Sequence, residues 1–163
     1  MNSLPPQSST VESFSDDRGE LYACWRNRNF SIDFVEDRFS RSDYGVLRGF
    51  HGDSVTYKLC TCVYGEMLLV LWDIRNEKKY EYTLSDKNKL QVLVPPYFLN
   101  AHQCLSSECI LFYKWSEYYS MPSSQWSIRH DDPTINAKWP VTDMILSDRD
   151  KSSGFLSEAN LLD

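Results

Sequence analysis

The sequence lacks the features of a membrane, secreted or nucleic-acid-binding protein. No apolar run approaches the roughly 20 residues of a membrane-spanning helix. Near the start there is no basic segment followed by an apolar one, so we expect no signal peptide. The net charge is −6, which argues against a surface that binds nucleic acid or an anionic membrane. We therefore expect a soluble, cytoplasmic protein with neither of these partners.

The cysteines and histidines lack the spacing of a metal or redox site. None of the five cysteines forms a C-x-x-C pair, and their dispersal suits a reducing compartment. A metal-binding β-barrel would supply an H-x-H pair with a nearby Glu. The residue two positions after His51 is Asp53 instead, and His102 and His130 are isolated. We expect no metal site.

No convincing amphipathic helix is found before residues 147–160, where short helical turns are expected. Strand signals recur instead at intervals of about 8–12 residues, which is typical of a sandwich or barrel. The runs 59–63 and 67–74, divided by Tyr-Gly-Glu, predict a hairpin. Further predicted strands are residues 20–25, 30–39, 80–84, 90–94, 101–105 and 108–115. We expect a flexible, Pro- and Ser-rich segment over residues 1–12 and a single domain over residues 13–163.

Residues 44–75 place basic side chains among strand-forming residues. Because strand side chains alternate between faces, His51 and Lys58 can reach one pocket while their neighbours pack a core. An isolated histidine is more often structural than catalytic. An imidazole nevertheless suits removal of a proton beside a carbonyl, provided that a carboxylate orients it. We interpret this stretch as the floor of an active site.

Aromatic residues make up 14% of the chain and are dense in YKWSEYY, residues 113–119. Most such residues fill a core or its rim, but a phenol that faces a cavity can act as a general acid or stack on a ligand. Lys58 and Lys114 flank this possible cavity, where either could stabilise an enolate oxygen. Arg18 and Arg48 each adjoin a glycine, which permits a phosphate to approach closely.

Eight segments, in order, resemble the dTDP-4-dehydrorhamnose 3,5-epimerase family. They are DDRGEL (16–21), YGVLRGFH (44–51), YKL (57–59), VYGE with WDIR (63–66 and 72–75), VPP (94–96), YKWSEYY (113–119), DDP with WP (131–133 and 139–140) and LSDRD (146–150). The resemblance implies an all-β, double-stranded β-helix (cupin, jelly-roll) barrel with a short C-terminal helical tail. It also implies an isomerase that needs no metal or other cofactor. It further implies a homodimer in which pocket residues are shared across the interface.

The resemblance also implies catalytic roles for individual residues. His51 is similar to the base that removes the proton beside the keto group, and Asp150 to the carboxylate that orients it. Lys58 resembles the lysine that stabilises the enolate oxygen. Tyr113 resembles the acid that returns a proton to the opposite face, and Tyr119 an aromatic residue that closes the site or packs on the ligand.

The resemblance extends to ligand binding, with one departure. Arg18 and Arg48 match arginines that contact the diphosphate. The family's nucleobase-contact segment QDN is Glu36-Asp37-Arg38 here, so Glu36 and Arg38 are the candidate base-reading residues. Because a carboxylate can accept hydrogen bonds from guanine N1 and N2, we expect GDP in preference to dTDP.

A second departure lies in the predicted strand 101–105 and the residues before it. The family's GFAHGF segment is YFLNAH here, so Asn100 replaces the family histidine. His102 lies two residues further and shares a strand face with Asn100. The change removes an ionisable group near the sugar, and it bears on whether one or two centres are inverted.

The predicted function is inversion of carbon 3, or of carbons 3 and 5, in a nucleotide-linked 4-keto-6-deoxy sugar for surface polysaccharide synthesis. A sugar 3,4-ketoisomerase on the same barrel is the nearest alternative. A non-catalytic module that binds nucleotide sugars is a second alternative. A metal-dependent cupin oxygenase is a third, disfavoured by the missing H-x-H pair.

Overall fold

The computed structural model describes residues 4–26, 31–121 and 124–162, and these residues form mainly β-strands. The strands are β1 (Gln7–Thr10), β2 (Ser13–Asp16), β3 (Gly19–Tyr22), β4 (Glu36–Asp43), β5 (Leu47–Gly52), β6 (Lys58–Tyr64), β7 (Glu66–Asp73), β8 (Lys78–Ser85), β9 (Leu90–Val94), β10 (Phe98–Cys104), β11 (Glu108–Trp115) and β12 (Trp126–Ser127). The short helix α1 (Asp148–Ser152) and a 3₁₀ turn (Leu156–Glu158) follow. The predicted all-β class and helical tail are confirmed.

Ten of these strands form two antiparallel sheets that enclose the main core. The first sheet has the order β1-β9-β6-β11-β4 and the second β12-β5-β10-β7-β8. Alternate side chains of both sheets turn inward, so Leu111 of β11 and Leu71 of β7 belong to one apolar cluster. The strands β2 and β3 form a separate two-stranded sheet.

A second core covers the outer face of the second sheet. There Phe50 of β5 and Leu99 of β10 pack with Ile128, Ile135 and Leu161 from the C-terminal part of the chain. The strands β5 and β10 are thereby packed on both faces, which fixes the position of the polar side chains that they carry.

The predicted hairpin between β6 and β7 is wrong. The strand β6 pairs with β9 and β11, whereas β7 pairs with β8 and β10 in the other sheet. Gly65 carries the chain from one sheet to the other with φ +73°, and a Cβ there would lie 2.1 Å from the carbonyl oxygen of Glu108. Tyr-Gly-Glu is a turn, as its composition indicates, but local composition does not specify which strands pair.

The N-terminal part of the chain differs from the prediction in two places. Residues 7–10, expected to be flexible, form β1 and pair along the open edge of β9. The strand predicted over residues 30–39 begins at Glu36, and residue 30 lies outside the described residues. Among the helices of the described ranges, none is long and apolar enough to cross a membrane.

Candidate active site

A cavity of about 280 Å³ opens between the two sheets. Nine of the eleven predicted site residues line it: Arg38, Arg48, His51, Lys58, Asn100, His102, Tyr113, Tyr119 and Asp150. The two exceptions are Arg18 and Glu36. The structure therefore brings together side chains that are up to 112 positions apart in the sequence, from Arg38 to Asp150.

His51 and Asp150 form a hydrogen-bonded pair in the wall of the cavity. The Nε2 atom of His51 on β5 lies 2.7 Å from Oδ1 of Asp150 on α1. When Nε2 carries the proton and donates it to this carboxylate, the lone pair of Nδ1 can act as a base. The pairing gives the imidazole the oriented carboxylate that a general base requires.

The carboxylate of Asp150 is itself held by the start of α1. The Ser147 hydroxyl accepts a hydrogen bond from the Asp150 N–H at 3.1 Å and donates one to Oδ2 at 2.9 Å. Burial tends to raise the pKa of Asp150, but the hydrogen bonds from His51 and Ser147 outweigh it, so the pKa lies below its usual value. Asp150 is therefore ionised at neutral pH.

Lys58 reaches across the cavity from the first sheet to the second. Its Nζ donates to Oδ1 of Asn100 at 2.9 Å and lies 4.7 Å from the ring centroid of Trp115. Burial lowers the pKa of Lys58, although the nearby negative charge of Asp53 acts in the opposite direction. Asn100 thus holds the Lys58 ammonium or amine group in the cavity wall.

Tyr113 faces the cavity from the sheet opposite His51. It lies on β11, between Arg38 of β4 and Cys60 of β6. Burial raises the pKa of the Tyr113 phenol, although the positive charge of Arg38 opposes this effect. The phenol is therefore protonated at neutral pH and is available as a proton donor.

Aromatic rings surround the guanidinium group of Arg38. Its Cζ lies 4.5 Å from the ring centroid of Tyr119, 5.0 Å from that of Trp115 and 5.9 Å from that of Tyr113. Glu36 lies beside this cluster but outside the cavity lining. Its carboxylate accepts the Tyr119 N–H at 2.9 Å and is 3.4 Å from Arg38. Glu36 therefore holds Arg38 and the Tyr119 backbone in place from the side of the cluster that faces away from the cavity.

The two predicted phosphate-binding arginines occupy different places. Arg48 lines the cavity, where its Nε donates to the Ser42 hydroxyl and its Nη2 to the Arg41 carbonyl, both at 3.1 Å. Arg18 lies in the turn between β2 and β3, 90% exposed and paired with Asp16. Within this chain, Arg18 is not part of the cavity.

Sequence reasoning did not select several residues that line the cavity, among them Trp115, Gln125, Ser147 and Arg149. Two of them had a usable signal: Trp115 is two residues from Tyr113 on a strand, and Ser147 begins an S-x-x-D capping pattern. Arg149 had none, because its position depends on α1 docking beside β12, where its Nε donates to the Ser127 hydroxyl at 2.8 Å.

Nothing in the described ranges resembles a metal site. No group of three or more His, Cys, Asp or Glu side chains there could hold an ion. The five cysteines are unpaired thiols, four of them buried, and burial raises the pKa of Cys60, in the cavity lining, to about 12. That thiol is protonated, so it is neither a nucleophile nor a ligand at neutral pH.

Residues 8–158 match the family described as dTDP-4-dehydrorhamnose 3,5-epimerase. This chain belongs to that family. It is 34% identical over 163 residues to the dTDP-4-dehydrorhamnose 3,5-epimerase of Salmonella typhimurium, covering 91% of this chain and 88% of the relative. The Methanothermobacter thermautotrophicus enzyme of the same name is 35% identical over 156 residues, and the match covers 86% of this chain and 84% of that enzyme. The predicted isomerase class is the class of these relatives.

Solved structures extend the likeness to the whole barrel. The Elizabethkingia anophelis dTDP-4-dehydrorhamnose 3,5-epimerase superposes with a TM-score of 0.84 at 30% identity, covering 95% of this chain and 93% of that chain. The Legionella pneumophila dTDP-6-deoxy-D-glucose-3,5-epimerase, solved with dTDP-4-keto-L-rhamnose, gives a TM-score of 0.89 at 29% identity. The superposition covers 98% of this chain and 93% of the Legionella chain. The predicted cupin fold is confirmed.

Proposed function

We propose that this protein is a cofactor-independent epimerase that inverts carbon 3, or carbons 3 and 5, of a nucleotide-linked 4-keto-6-deoxy sugar for polysaccharide precursors. The observation that carries the proposal is the placement of a base and an acid on facing sheets. The His51–Asp150 pair lies on one side of the cavity, and the protonated Tyr113 lies on the other. Inversion requires proton removal and return on opposite faces of a carbon, and the facing positions of His51 and Tyr113 support this reaction.

The proposed reaction begins with the 4-keto oxygen near Lys58. The ammonium group stabilises negative charge on that oxygen, which acidifies the hydrogen on the neighbouring carbon. His51 accepts this proton and leaves an enolate, and Asp150 stabilises the resulting imidazolium. Tyr113 then donates its phenolic proton to the opposite face of the carbon. Exchange with solvent returns the proton to Tyr113 and removes the one on His51.

The proposed nucleotide is dTDP. Glu36, the residue that suggested GDP, uses its carboxylate to accept the Tyr119 N–H and lies outside the cavity lining. The relatives named above are described as acting on dTDP-linked sugars, and the Legionella structure contains one. GDP is the alternative, and a direct comparison of both nucleotides decides between them.

The proposed assembly is a homodimer in which Arg18 reaches the cavity of the second copy. In this chain Arg18 is outside the cavity, in the turn of a two-stranded sheet that presents exposed apolar side chains. Phe14 and Leu21 are 65% and 75% exposed and face one another across β2 and β3. An exposed apolar pair beside a predicted phosphate ligand fits a partner surface.

The test is mass spectrometry of dTDP- and GDP-linked 4-keto-6-deoxyglucose incubated with the protein in deuterium oxide. Uptake of one deuterium indicates that one carbon is deprotonated and reprotonated, and uptake of two indicates that carbons 3 and 5 both are; NMR of the same products shows which centres are inverted. The control variant His51→Asn should fold and bind nucleotide but take up none. Folded wild-type protein that binds either compound without exchange would contradict the proposal and favour a binding module. A product with its keto group moved to carbon 3, seen by NMR, would favour a ketoisomerase.

A further inference from the structure

His102 lies in the cavity wall with a buried ring nitrogen that the described residues do not satisfy. The residue is 5% exposed and lines the cavity. Its Nε2 has no hydrogen-bond partner among the described residues. Buried polar atoms are nearly always partnered, because leaving one unpartnered destabilises the folded state. Such a nitrogen is satisfied in folded proteins by a buried water or by a ligand, and the adjoining cavity has room for either.

The strand register places His102 beside the reacting groups. On β10, Asn100 is opposite His51 of β5, and His102 is opposite Arg48. Asn100 and His102 are two residues apart on one strand, so they share a face and stand about 7 Å apart along it. The sugar must lie at the level of His51 and Asn100, because its proton is taken there. Its ring and substituents therefore come within reach of His102.

The charges around His102 favour a neutral ring. Burial lowers its pKa to about 3, and the positive charges of Arg48 and His51 act in the same direction, against the negative charge of Asp150. A neutral imidazole has one N–H donor and one acceptor nitrogen. A hydroxyl group is its natural partner, since a hydroxyl also both donates and accepts.

We propose that His102 binds a hydroxyl group of the sugar and so selects sugars that carry an oxygen at that position. This inference rests on the proposed epimerase function and adds a sugar-reading subsite to it. His102 acts by holding the sugar, and the proton transfers remain with His51 and Tyr113. The negatively charged diphosphate is bound by the positively charged arginines instead.

Calorimetry with two ligands tests this subsite. Wild type and His102→Phe are titrated with the nucleoside diphosphate alone (dTDP or GDP, whichever binds) and with its 6-deoxyglucose derivative. In His102→Phe we expect Kd for the sugar nucleotide to rise about tenfold or more, from the loss of one buried hydrogen bond. We expect Kd for the diphosphate alone to stay within about twofold, because the arginines that bind it are unchanged. His102→Gln, which keeps a donor and an acceptor, should recover part of the loss.

Thermal stability separates this role from a structural one. Removal of an unpartnered buried nitrogen should raise Tm in His102→Phe while sugar affinity falls. His130→Phe is the matched control, since Nδ1 of His130 is also buried without a partner among the described residues but lies outside the cavity lining. It should leave both affinities unchanged.

The outcomes distinguish this subsite from the function on which it rests. Equal losses of affinity for both ligands, or no loss for either, would overturn the subsite even if wild type exchanges deuterium normally. A different result would retain the subsite and overturn the epimerase. Wild type would bind the sugar nucleotide more tightly than the diphosphate, His102→Phe would lose this difference, and wild type would exchange no deuterium.

Discussion

At the scale of single residues, the proposed reaction assigns proton removal and proton return to two groups with different surroundings. His51 is paired with an ionised carboxylate, whereas Tyr113 is kept protonated by burial on the opposite sheet. These surroundings act in opposite directions, because desolvation raises the pKa of the Tyr113 phenol while hydrogen bonds lower that of the Asp150 carboxyl group. The two half-reactions should therefore respond differently to substitution.

Tyr113→Phe should uncouple exchange from inversion. His51 can still remove a proton and return a deuteron to the same face, so we expect deuterium uptake to continue. Formation of the inverted sugar should fall about 10²- to 10⁴-fold, the usual contribution of a general acid. Mass spectrometry measures uptake and NMR measures configuration in the same sample. Tyr82→Phe, outside the cavity lining, is the control. Unchanged inversion in Tyr113→Phe would assign the acid to another residue.

His102 should make folding stability depend on pH. The unfolded chain binds a proton to His102 below its ordinary pKa of 6.5, whereas the folded protein does so only near pH 3. Since the unfolded state then binds more protons, stability falls as pH decreases through this window, by about 2 kcal/mol between pH 7 and pH 5. Urea denaturation at both pH values should show this loss in wild type and a smaller one in His102→Phe. Equal losses would mean that His102 titrates alike in both states.

At the scale of elements, the crossing from β6 to β7 links the two sheets. Gly65 has φ +73°, its N–H donates to Asp86 Oδ2 at 3.0 Å, and its Cα faces the backbone of β11 closely. A side chain at this position would strain the backbone, because its φ is positive, and would clash with the neighbouring strand β11.

Gly65→Ala should destabilise the fold by about 2–4 kcal/mol, from backbone strain and overpacking together. Gly19→Ala is the matched control, because Gly19 also has a positive φ, +129°, but a Cβ there would meet nothing within 4 Å. Chemical denaturation of both variants separates the two contributions. A loss in Gly65→Ala no greater than in Gly19→Ala would show that the strand contact is easily relaxed.

At the scale of the whole molecule, the proposed dimer makes an active site that one chain does not complete. We expect sedimentation velocity to show twice the 19.1 kDa mass of the chain. Leu21→Asp places a charge in the exposed apolar pair and should give monomers with weaker nucleotide binding. Leu162→Asp, another exposed leucine, serves as the control. A dimeric Leu21→Asp protein with full affinity would place the interface elsewhere.

Much of the barrel was predictable because its signals are local. Alternating apolar residues and the turns between them located β9 and β11 at their observed bounds, and Pro95-Pro96 ends β9 as expected. Of the eleven site residues chosen from the family resemblance, nine line the cavity. What they did not indicate was pairing: residues 59–63 and 67–74 suggested a hairpin, yet they lie in different sheets.

The sequence by itself determined where strands form and which polar side chains were candidates, since strand propensity and face alternation act over a few residues. Only the tertiary structure decided which side chains meet. It joined His51 to Asp150, 99 positions away, and attached Glu36 to the Tyr119 backbone. It also buried His102 with a ring nitrogen that has no hydrogen-bond partner in the described part of the chain. The physical reason is that these contacts depend on strand pairing and sheet packing between distant segments, which local sequence patterns do not specify.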